Sequence, residues 1–273
     1  MTEEINPASG SAPETLSFDP ITGQPVSTHP PADRPQLIAP VWHTALIVLI
    51  ILVNSYYSST RLAQGPQRGR IPLYVGTLVL QSVMLGLIWI GLRLQKTSLR
   101  GLIGGQWTSL GEFLIDFCIF FAFWIVSSIV VLILKLALGL ASLDPKRSSE
   151  QIHQAKQAIG GISPQTSSEL LAFLVLVIFV GVIEEIIFRG YLQRQMAAIT
   201  RNSYVGVVLS AVIFGAAHGY QGTRWMILLG AYGAMFGLLA LFRKSLRPGM
   251  MAHAWQDAFS GATFYFLTKL GRM

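Results

Sequence analysis

Two adjacent carboxylates, Glu184 and Glu185, follow the uncharged stretch Leu170–Ile183. Ionisable groups in hydrocarbon are energetically costly, so they occur there only when they are paired with another group, are solvated in a cavity or have a function. Neighbouring residues on a helix point about 100° apart, so the two carboxylates face different directions. Glu185 lies four residues before Arg189 and can pair with it along one helix face. We therefore expect Glu184 to be left free to act.

Two histidines in later apolar stretches could share that chemistry. Asp257 lies four residues after His253, on the same helix face, and can orient its imidazole. A glutamate beside a histidine can hold and deprotonate a water molecule. A second histidine can then hydrogen-bond the oxyanion that forms when this water attacks a carbonyl. These residue types predict acyl hydrolysis, with four catalytic candidates: Glu184, His218, His253 and Asp257.

Other chemistries have weaker support in the sequence. No GxSxG motif surrounds a serine such as Ser210, and Cys118 has no histidine nearby in sequence, so covalent catalysis is disfavoured. Two histidines and a glutamate also describe many catalytic zinc sites. There is no HExxH motif, and we expect no tightly held metal, but the residue types leave a divalent metal such as zinc open. Its ligands would be Glu184, His218 and His253.

The composition predicts a membrane protein. Hydrophobic residues make up 52% of the 273 residues and charged residues only 12%, whereas soluble domains carry about 25% charge. The uncharged runs approach the ~20 residues that a spanning helix needs. We expect an all-α, polytopic transmembrane bundle of about seven spans, with eight possible. The net charge is +7, and the basic residues lie between the apolar runs. Topology signals and contacts with lipid headgroups explain basic residues at such positions better than nucleic-acid binding does.

The predicted organisation is a disordered, proline-rich tail over residues 1–38 and one transmembrane domain over 39–273. A capping box at Thr166 to Glu169 opens the fourth span, after a loop at 144–168 with a weak helical pattern. Basic residues divide equally between the two sides, so orientation is not predicted. The predicted spans are Val41–Tyr57, Ile71–Leu94, Leu110–Leu143, Thr166–Gln195, Tyr204–His218, Trp225–Phe242 and Pro248–Leu267.

Three further features have structural interpretations. His43, at the margin of the first span, is predicted to be an interfacial side chain. Glu112 and Asp116 are four residues apart near the start of the third span and are predicted to form an interfacial carboxylate pair. Two GxxxG patterns predict close approach of helix backbones. They are Gly215 with Gly219 and Gly233 with Gly237.

Three short motifs contain these candidate residues. They are EExxxR at Glu184 to Arg189, FxxxH at Phe214 to His218, and HxxxN or HxxxD at His253 to Asp257. Each motif alone is weak, but the three occur in order on separate predicted helices of a polytopic chain. In this the chain resembles the CPBP intramembrane protease family, which includes the CAAX prenyl endopeptidases and bacterial proteins linked to bacteriocin processing and immunity. The resemblance covers about residues 110–268.

The resemblance implies a membrane endopeptidase in which Glu184 and His218 activate water. His253 and Asp257 would then support the oxyanion, but an ionised aspartate cannot donate a hydrogen bond, so Asp257 is expected to orient His253 or to be protonated. Glu185 and Arg189 would have supporting roles. The expected partners are a membrane-associated peptide or protein substrate and the lipid bilayer, without nucleic acid. The expected location is a bacterial plasma membrane, as a multi-pass protein.

Two other function classes remain open. Carboxylates and histidines also form relays in ion-coupled transporters, although the chain has no internal repeat of the kind that many transporters show. A non-enzymatic immunity or partner protein could retain the same motifs.

The two histidines lie at different predicted depths along their helices. At ~1.5 Å per residue, His218 lies ~21 Å along its predicted span, while His253 lies only ~8 Å past Pro248. The two spans are predicted to start on the same side. Helix tilt, a deeper start for the last helix or different boundaries are therefore required to bring the rings together.

Overall fold

The computed structural model describes residues 35–63, 69–141 and 160–271. All regular structure in these ranges is helical, which confirms the predicted fold class. A π-helical segment at Ile186–Leu192 and a 3₁₀ turn at Gly219–Gln221 lie between α-helices. The α-helices are α1 (Val41–Ala63), α2 (Ile71–Leu94), α3 (Leu99–Ile103), α4 (Leu110–Ala137), α5 (Ser167–Glu185), α6 (Gln193–Thr200), α7 (Ser203–Ala217), α8 (Thr223–Arg243) and α9 (Arg247–Lys269).

Five helical stretches in the described part of the chain are long and apolar enough to cross a membrane. Helix α7 is apolar but has only 15 residues. Helix α9 has 23 residues but is not among the five. All seven predicted spans are thus helical, and five of them qualify as membrane spans by length and composition. These five are Val41–Thr60, Ile71–Leu94, Leu110–Ala137, Ser167–Thr200 and Thr223–Arg243.

Contacts between helix ends give the relative directions of α2, α5 and α9. The backbone amide of Arg70, just before α2, donates to Glu169 in the first turn of α5, so both helices start at the same end of the bundle. The hydroxyl groups of Ser167 and Tyr265 are 3.0 Å apart, so α9 ends where α5 begins. This is the order that alternate crossings by the second, fourth and seventh spans require.

Most helix boundaries follow local sequence signals. Thr166 and Glu169 form the predicted capping box at the start of α5. Helix α2 has the predicted bounds. Helix α4 ends at Ala137 rather than near Leu143, because Gly139 adopts a left-handed conformation with φ of +67° and stops the helix. The short helix α3, capped by Ser98, was not predicted.

The π-helical segment Ile186–Leu192 forms the best-buried part of the bundle, and all seven of its residues are buried. Such segments are rare and occur frequently at functional sites. The hydroxyl of Ser210 donates to the Phe188 carbonyl at 2.7 Å and satisfies a backbone acceptor inside the segment. The segment continues the helix directly after Glu184 and Glu185, and it contains Arg189.

The GxxxG prediction of close backbone approach is confirmed at Gly215, whereas Gly219 lies beyond α7 in the 3₁₀ turn and Gly233 and Gly237 meet side chains. A Cβ atom on Gly215 would lie 2.5 Å from the Met226 carbonyl oxygen, so α7 and α8 touch backbone to backbone there. A Cβ atom on Gly233 would lie 2.9 Å from the Phe214 ring. At Gly237 the group in the way would be the side-chain oxygen of Gln193, at 2.8 Å.

The first turn of α9 starts inside the protein. Arg247, Pro248, Gly249 and Met250 are all buried, and the Leu246 amide donates to the Ile103 carbonyl at 2.9 Å. This burial is consistent with a deeper start for the last helix, one of the three ways to bring the histidines together.

Two predictions about polar residues are wrong. His43 is not interfacial: its ring is buried, with Nδ1 2.7 Å from the Tyr191 hydroxyl and Nε2 3.0 Å from the Leu87 carbonyl oxygen. Glu112 and Asp116 do not form an interfacial pair. Glu112 is partly exposed and accepts from Thr108, whereas Asp116 is completely buried.

Two predicted regions fall largely outside the described ranges. They are the tail over residues 1–38, of which only residues 35–38 are described, and the weak helical pattern in the loop at 144–168. The described end of the tail is held by α6: the amide of Ile38 donates to the side-chain oxygen of Gln195 at 2.7 Å.

Candidate active site

A buried ion pair anchors the site. Arg189 Nη1 lies 2.9 Å from Glu185 Oε1, and each side chain is only 1% exposed. The four-residue spacing predicted this pairing. The second terminal nitrogen of Arg189, Nη2, donates to the Gly233 carbonyl at 3.1 Å. This hydrogen bond connects the π-helical segment to α8.

Two phenylalanine rings cover the guanidinium. The Cζ atom of Arg189 lies 4.5 Å from the ring centre of Phe214 and 5.0 Å from that of Phe236. A cation over an aromatic face is attracted by the ring quadrupole, and more so when water is excluded. The phenylalanine of the second motif therefore packs on the arginine of the first, which places the end of α7 beside the carboxylates.

His253 stands among three carboxylates. Its Nδ1 lies 3.0 Å from Glu185 Oε1, and its Nε2 lies 3.6 Å from Glu184 Oε2 and 3.7 Å from Asp257 Oδ2. A carboxylate paired with arginine can only accept, so Nδ1 carries a proton and donates it. The ring is therefore oriented by the hydrogen bond that its Nδ1 donates to Glu185. Asp257 lies beyond hydrogen-bond distance of Nε2.

Glu184 is the more open of the two adjacent glutamates. Its side chain is 13% exposed, against 1% for Glu185. Oε2 faces the His253 ring, and Oε1 accepts a hydrogen bond from Gln81 Nε2 at 3.0 Å. Gln81 lies in α2, a helix in which the sequence indicated nothing specific. A lone amide in the middle of an apolar span is the signal that could have revealed it, because such a group needs a polar partner.

His218 caps the end of α7 and faces the same space. Its Nδ1 lies 2.8 Å from the Phe214 carbonyl oxygen. A carbonyl only accepts, so Nδ1 carries the proton and the lone pair lies on Nε2. In the described ranges, His218 forms no direct hydrogen bond or ion pair with Glu184, His253 or Asp257.

The Phe214 ring lies close to both histidine rings. Its centre lies 4.7 Å from the His218 ring and 6.1 Å from the His253 ring. The structure therefore brings Glu184, His253 and Asp257 into mutual proximity and places His218 beside the same phenylalanine, without a direct bond to them.

Tyr220 adds a phenol at the margin of the site. Its ring centre lies 6.0 Å from that of His218, and its hydroxyl accepts from Gln221 Nε2 at 3.0 Å. Burial is the main reason that the pKa of Tyr220 is raised to about 12; the hydrogen bond from Gln221 lowers it, and the charges of Glu184 and Asp257 raise it. The phenol therefore stays protonated at neutral pH.

The donor set does not fit a preassembled metal site. Over residues 35–63, 69–141 and 160–271, no three His, Cys, Asp or Glu side chains are grouped as a bound metal ion requires. This holds for the candidate ligands Glu184, His218 and His253. Catalytic zinc sites use three such protein ligands around one ion.

A comparison of the sequence with known protein families finds a match, which covers the part of the chain that contains the candidate site. Residues 166–259, about a third of the chain, match the family model described as type II CAAX prenyl endopeptidase Rce1-like. All three motifs fall inside this segment, so the match confirms the predicted resemblance there. No curated protein matches the chain, and no solved structure does. The matched family and the five apolar helices together indicate an integral membrane protein related to proteases.

Proposed function

We propose that the protein is an intramembrane endopeptidase that cleaves a membrane-associated protein or peptide with water activated by Glu184 and His218. One observation carries the proposal. The partly exposed Glu184 carboxylate faces His253 Nε2 at 3.6 Å, inside a segment that matches an endopeptidase family.

The proposed reaction uses the two histidines differently. A water molecule donates one hydrogen bond to Glu184 and the other to the unprotonated Nε2 of His218. Glu184 takes a proton as the water oxygen attacks the peptide carbonyl carbon, and negative charge develops on the carbonyl oxygen. His253, as an imidazolium, donates Nε2–H to this oxyanion. The C–N bond then breaks, and the proton on Glu184 passes to the leaving amine.

The neighbours of His253 suit this role. Glu185 accepts from Nδ1 at 3.0 Å and is itself held by Arg189, so the ring is fixed in direction. An adjacent negative charge favours the protonated form of a histidine. Asp257, 3.7 Å from Nε2, supplies such a charge when it is ionised. We propose that Asp257 stabilises the imidazolium rather than donating to the oxyanion.

The family match and the apolar helices support a proposal for the substrate class. The matched model describes endopeptidases of CAAX prenyl proteins, so a peptide with a prenylated CAAX end is the first probe to use. Location in a bacterial plasma membrane stays a prediction from the sequence.

The test is cleavage by the full chain reconstituted in liposomes. The probe is a quenched fluorescent peptide with a farnesylated CAAX end, beside the same peptide without the farnesyl group. Glu184→Gln keeps the shape and removes the base, and losing a general base typically costs about 100- to 10,000-fold in rate. Glu112→Gln is the matched control because Glu112 is partly exposed and lies outside the site. A folded Glu184→Gln protein that cleaved at the wild-type rate would refute the mechanism, and wild-type protein that cleaved neither probe would refute this substrate class.

A further inference from the structure

Helix α2 reaches the proposed catalytic carboxylate through a single amide. Gln81 Nε2 donates to Glu184 Oε1 at 3.0 Å, across 103 positions in sequence. Residues 71–94 lie outside the segment that matches the endopeptidase family. The contact is therefore a feature of this chain that the matched segment does not contain.

Other polar side chains in the same part of α2 behave differently. The Thr77 hydroxyl donates to the Leu73 carbonyl and the Ser82 hydroxyl to the Leu78 carbonyl, each four residues back in the same helix. Gln81 instead directs its donor across to another helix. An amide group placed in an apolar span without a partner would be costly, and here the partner is the side chain that the proposed reaction needs.

The two oxygens of Glu184 have separate partners. An ionised carboxylate only accepts, so the Gln81 amide group must be the donor to Oε1. Hydrogen bonds to a charged group are stronger than neutral ones, so this bond fixes the side-chain rotation. Oε2 is thereby directed towards His253 Nε2, at 3.6 Å. Without Gln81, the carboxylate could rotate away from the substrate side.

Helix packing does not need this bond. The start of α2 is held to α5 by the Arg70 amide on Glu169 and by the rings of Tyr74 and Phe173, whose centres are 5.7 Å apart. The Tyr74 hydroxyl also donates to the Ile162 carbonyl at 2.8 Å. Loss of the Gln81 amide therefore leaves the α2–α5 contact in place.

We infer that Gln81 is a positioning residue that holds one oxygen of Glu184 so that the other faces the reacting water. This inference rests on the proposed endopeptidase function. Misplacement of a reacting group by about 1 Å can cost about 100-fold in rate. Gln81→Met preserves the length of the side chain and removes the donor, so kcat should fall about 10- to 100-fold with KM within about twofold of wild type.

The experiment compares variants in the liposome assay with the farnesylated CAAX peptide. Gln81→His keeps an N–H donor at a similar reach and should retain more of the wild-type kcat than Gln81→Met. Ser82→Ala, which removes a hydroxyl bonded only within α2, should leave kcat unchanged. In the Glu184→Gln background, adding Gln81→Met should not lower the residual rate further, because the carboxylate to be positioned is already gone.

The outcomes separate this inference from the proposed function. If wild type cleaves, Glu184→Gln does not, and Gln81→Met keeps the wild-type kcat, the positioning role is refuted alone. Equal losses in kcat for Gln81→Met with and without Glu184→Gln would also refute it. If wild type and Glu184→Gln cleave equally, the proposed function itself fails. If the Gln81→Met protein does not fold, the test uses Gln81→His instead. The inference then requires that the kcat of Gln81→His exceed that of Glu184→Gln.

Discussion

Two carboxylates in this bundle have opposite surroundings. Asp116 is completely buried, and both of its oxygens are held. Arg243 Nε lies 3.0 Å from Oδ1, while Arg247 Nε and Trp107 Nε1 each lie 2.8 Å from Oδ2. Two arginines at the junction of α8 and α9 and a tryptophan just before α4 therefore converge on one buried charge.

Glu184 has fewer and weaker partners among the described residues. One amide, that of Gln81, donates to it at 3.0 Å, and the nearest cationic group is the His253 ring at 3.6 Å. Its side chain is 13% exposed, against 0% for Asp116. A buried charge with complete pairing stabilises structure and is chemically quiet, whereas an accessible, incompletely paired carboxylate can still bind water and accept a proton.

The comparison teaches that burial alone does not identify the reactive acid. Both residues lie in strongly apolar helices, and each belongs to a pair of closely spaced carboxylates, Glu112 with Asp116 and Glu184 with Glu185. The difference lies in partners contributed by distant segments of the chain. Pairing with arginine makes Asp116 and Glu185 structural, while Glu184, which no arginine in the described part of the chain pairs with, stays available.

The largest effect on stability should come from removing Arg189. Arg189→Met leaves the Glu185 carboxylate buried without its cation, and breaking a buried pair in this way typically costs about 3–5 kcal/mol. The free energy of unfolding in detergent measures the loss. Arg93→Met is the control, because Arg93 is exposed and lies over the Trp89 ring at 5.1 Å. Equal stability of the two variants would contradict a structural role for the Glu185–Arg189 pair.

A smaller loss should follow from Asp116→Asn. The neutral amide leaves Arg247 with weaker bonds in a buried position, and we expect about 1–3 kcal/mol. Because the site lies elsewhere, the kcat of the folded fraction should stay near wild type. A kcat that fell as steeply as for Glu184→Gln would end the contrast between the two carboxylates.

Backbone contact between α7 and α8 offers a test that involves no charge. The methyl group in Gly215→Ala would meet the Met226 carbonyl oxygen, and overpacking of this kind typically costs about 1–3 kcal/mol. Displacement of α7 also moves His218, so activity should fall as well. Gly86→Ala is the matched control, because a Cβ atom there has no atom within 4 Å. The two variants are compared by thermal unfolding and by cleavage rate, and similar behaviour would refute the close approach.

Local patterns predict some of this architecture well. The bounds of α2, the capping box at Thr166 and the pairing of Glu185 with Arg189 all depend on residues within a few positions of each other. The three motifs likewise lie on α5 with its π-helical continuation, at the end of α7 and on α9, as their order predicts.

Contacts between distant segments were not predictable in the same way. Hydropathy distinguishes lipid from water but does not identify which helix lies opposite, so Gln81 was missed and His43 and Asp116 were misinterpreted. The π-helical segment has no sequence signal of its own. Residues distant in sequence pack closely against it: a Cβ atom on Gly190 would lie 3.0 Å from the side chains of Leu102 and Leu246.

The most direct test of the central claim measures Glu184→Gln and Asp116→Asn side by side in one liposome preparation, with cleavage rate and unfolding free energy recorded for each. We predict that Glu184→Gln loses cleavage by at least about 100-fold and keeps its stability. Asp116→Asn should lose stability and keep its rate per folded molecule. Undiminished cleavage by folded Glu184→Gln would contradict the assignment of Glu184 as the base.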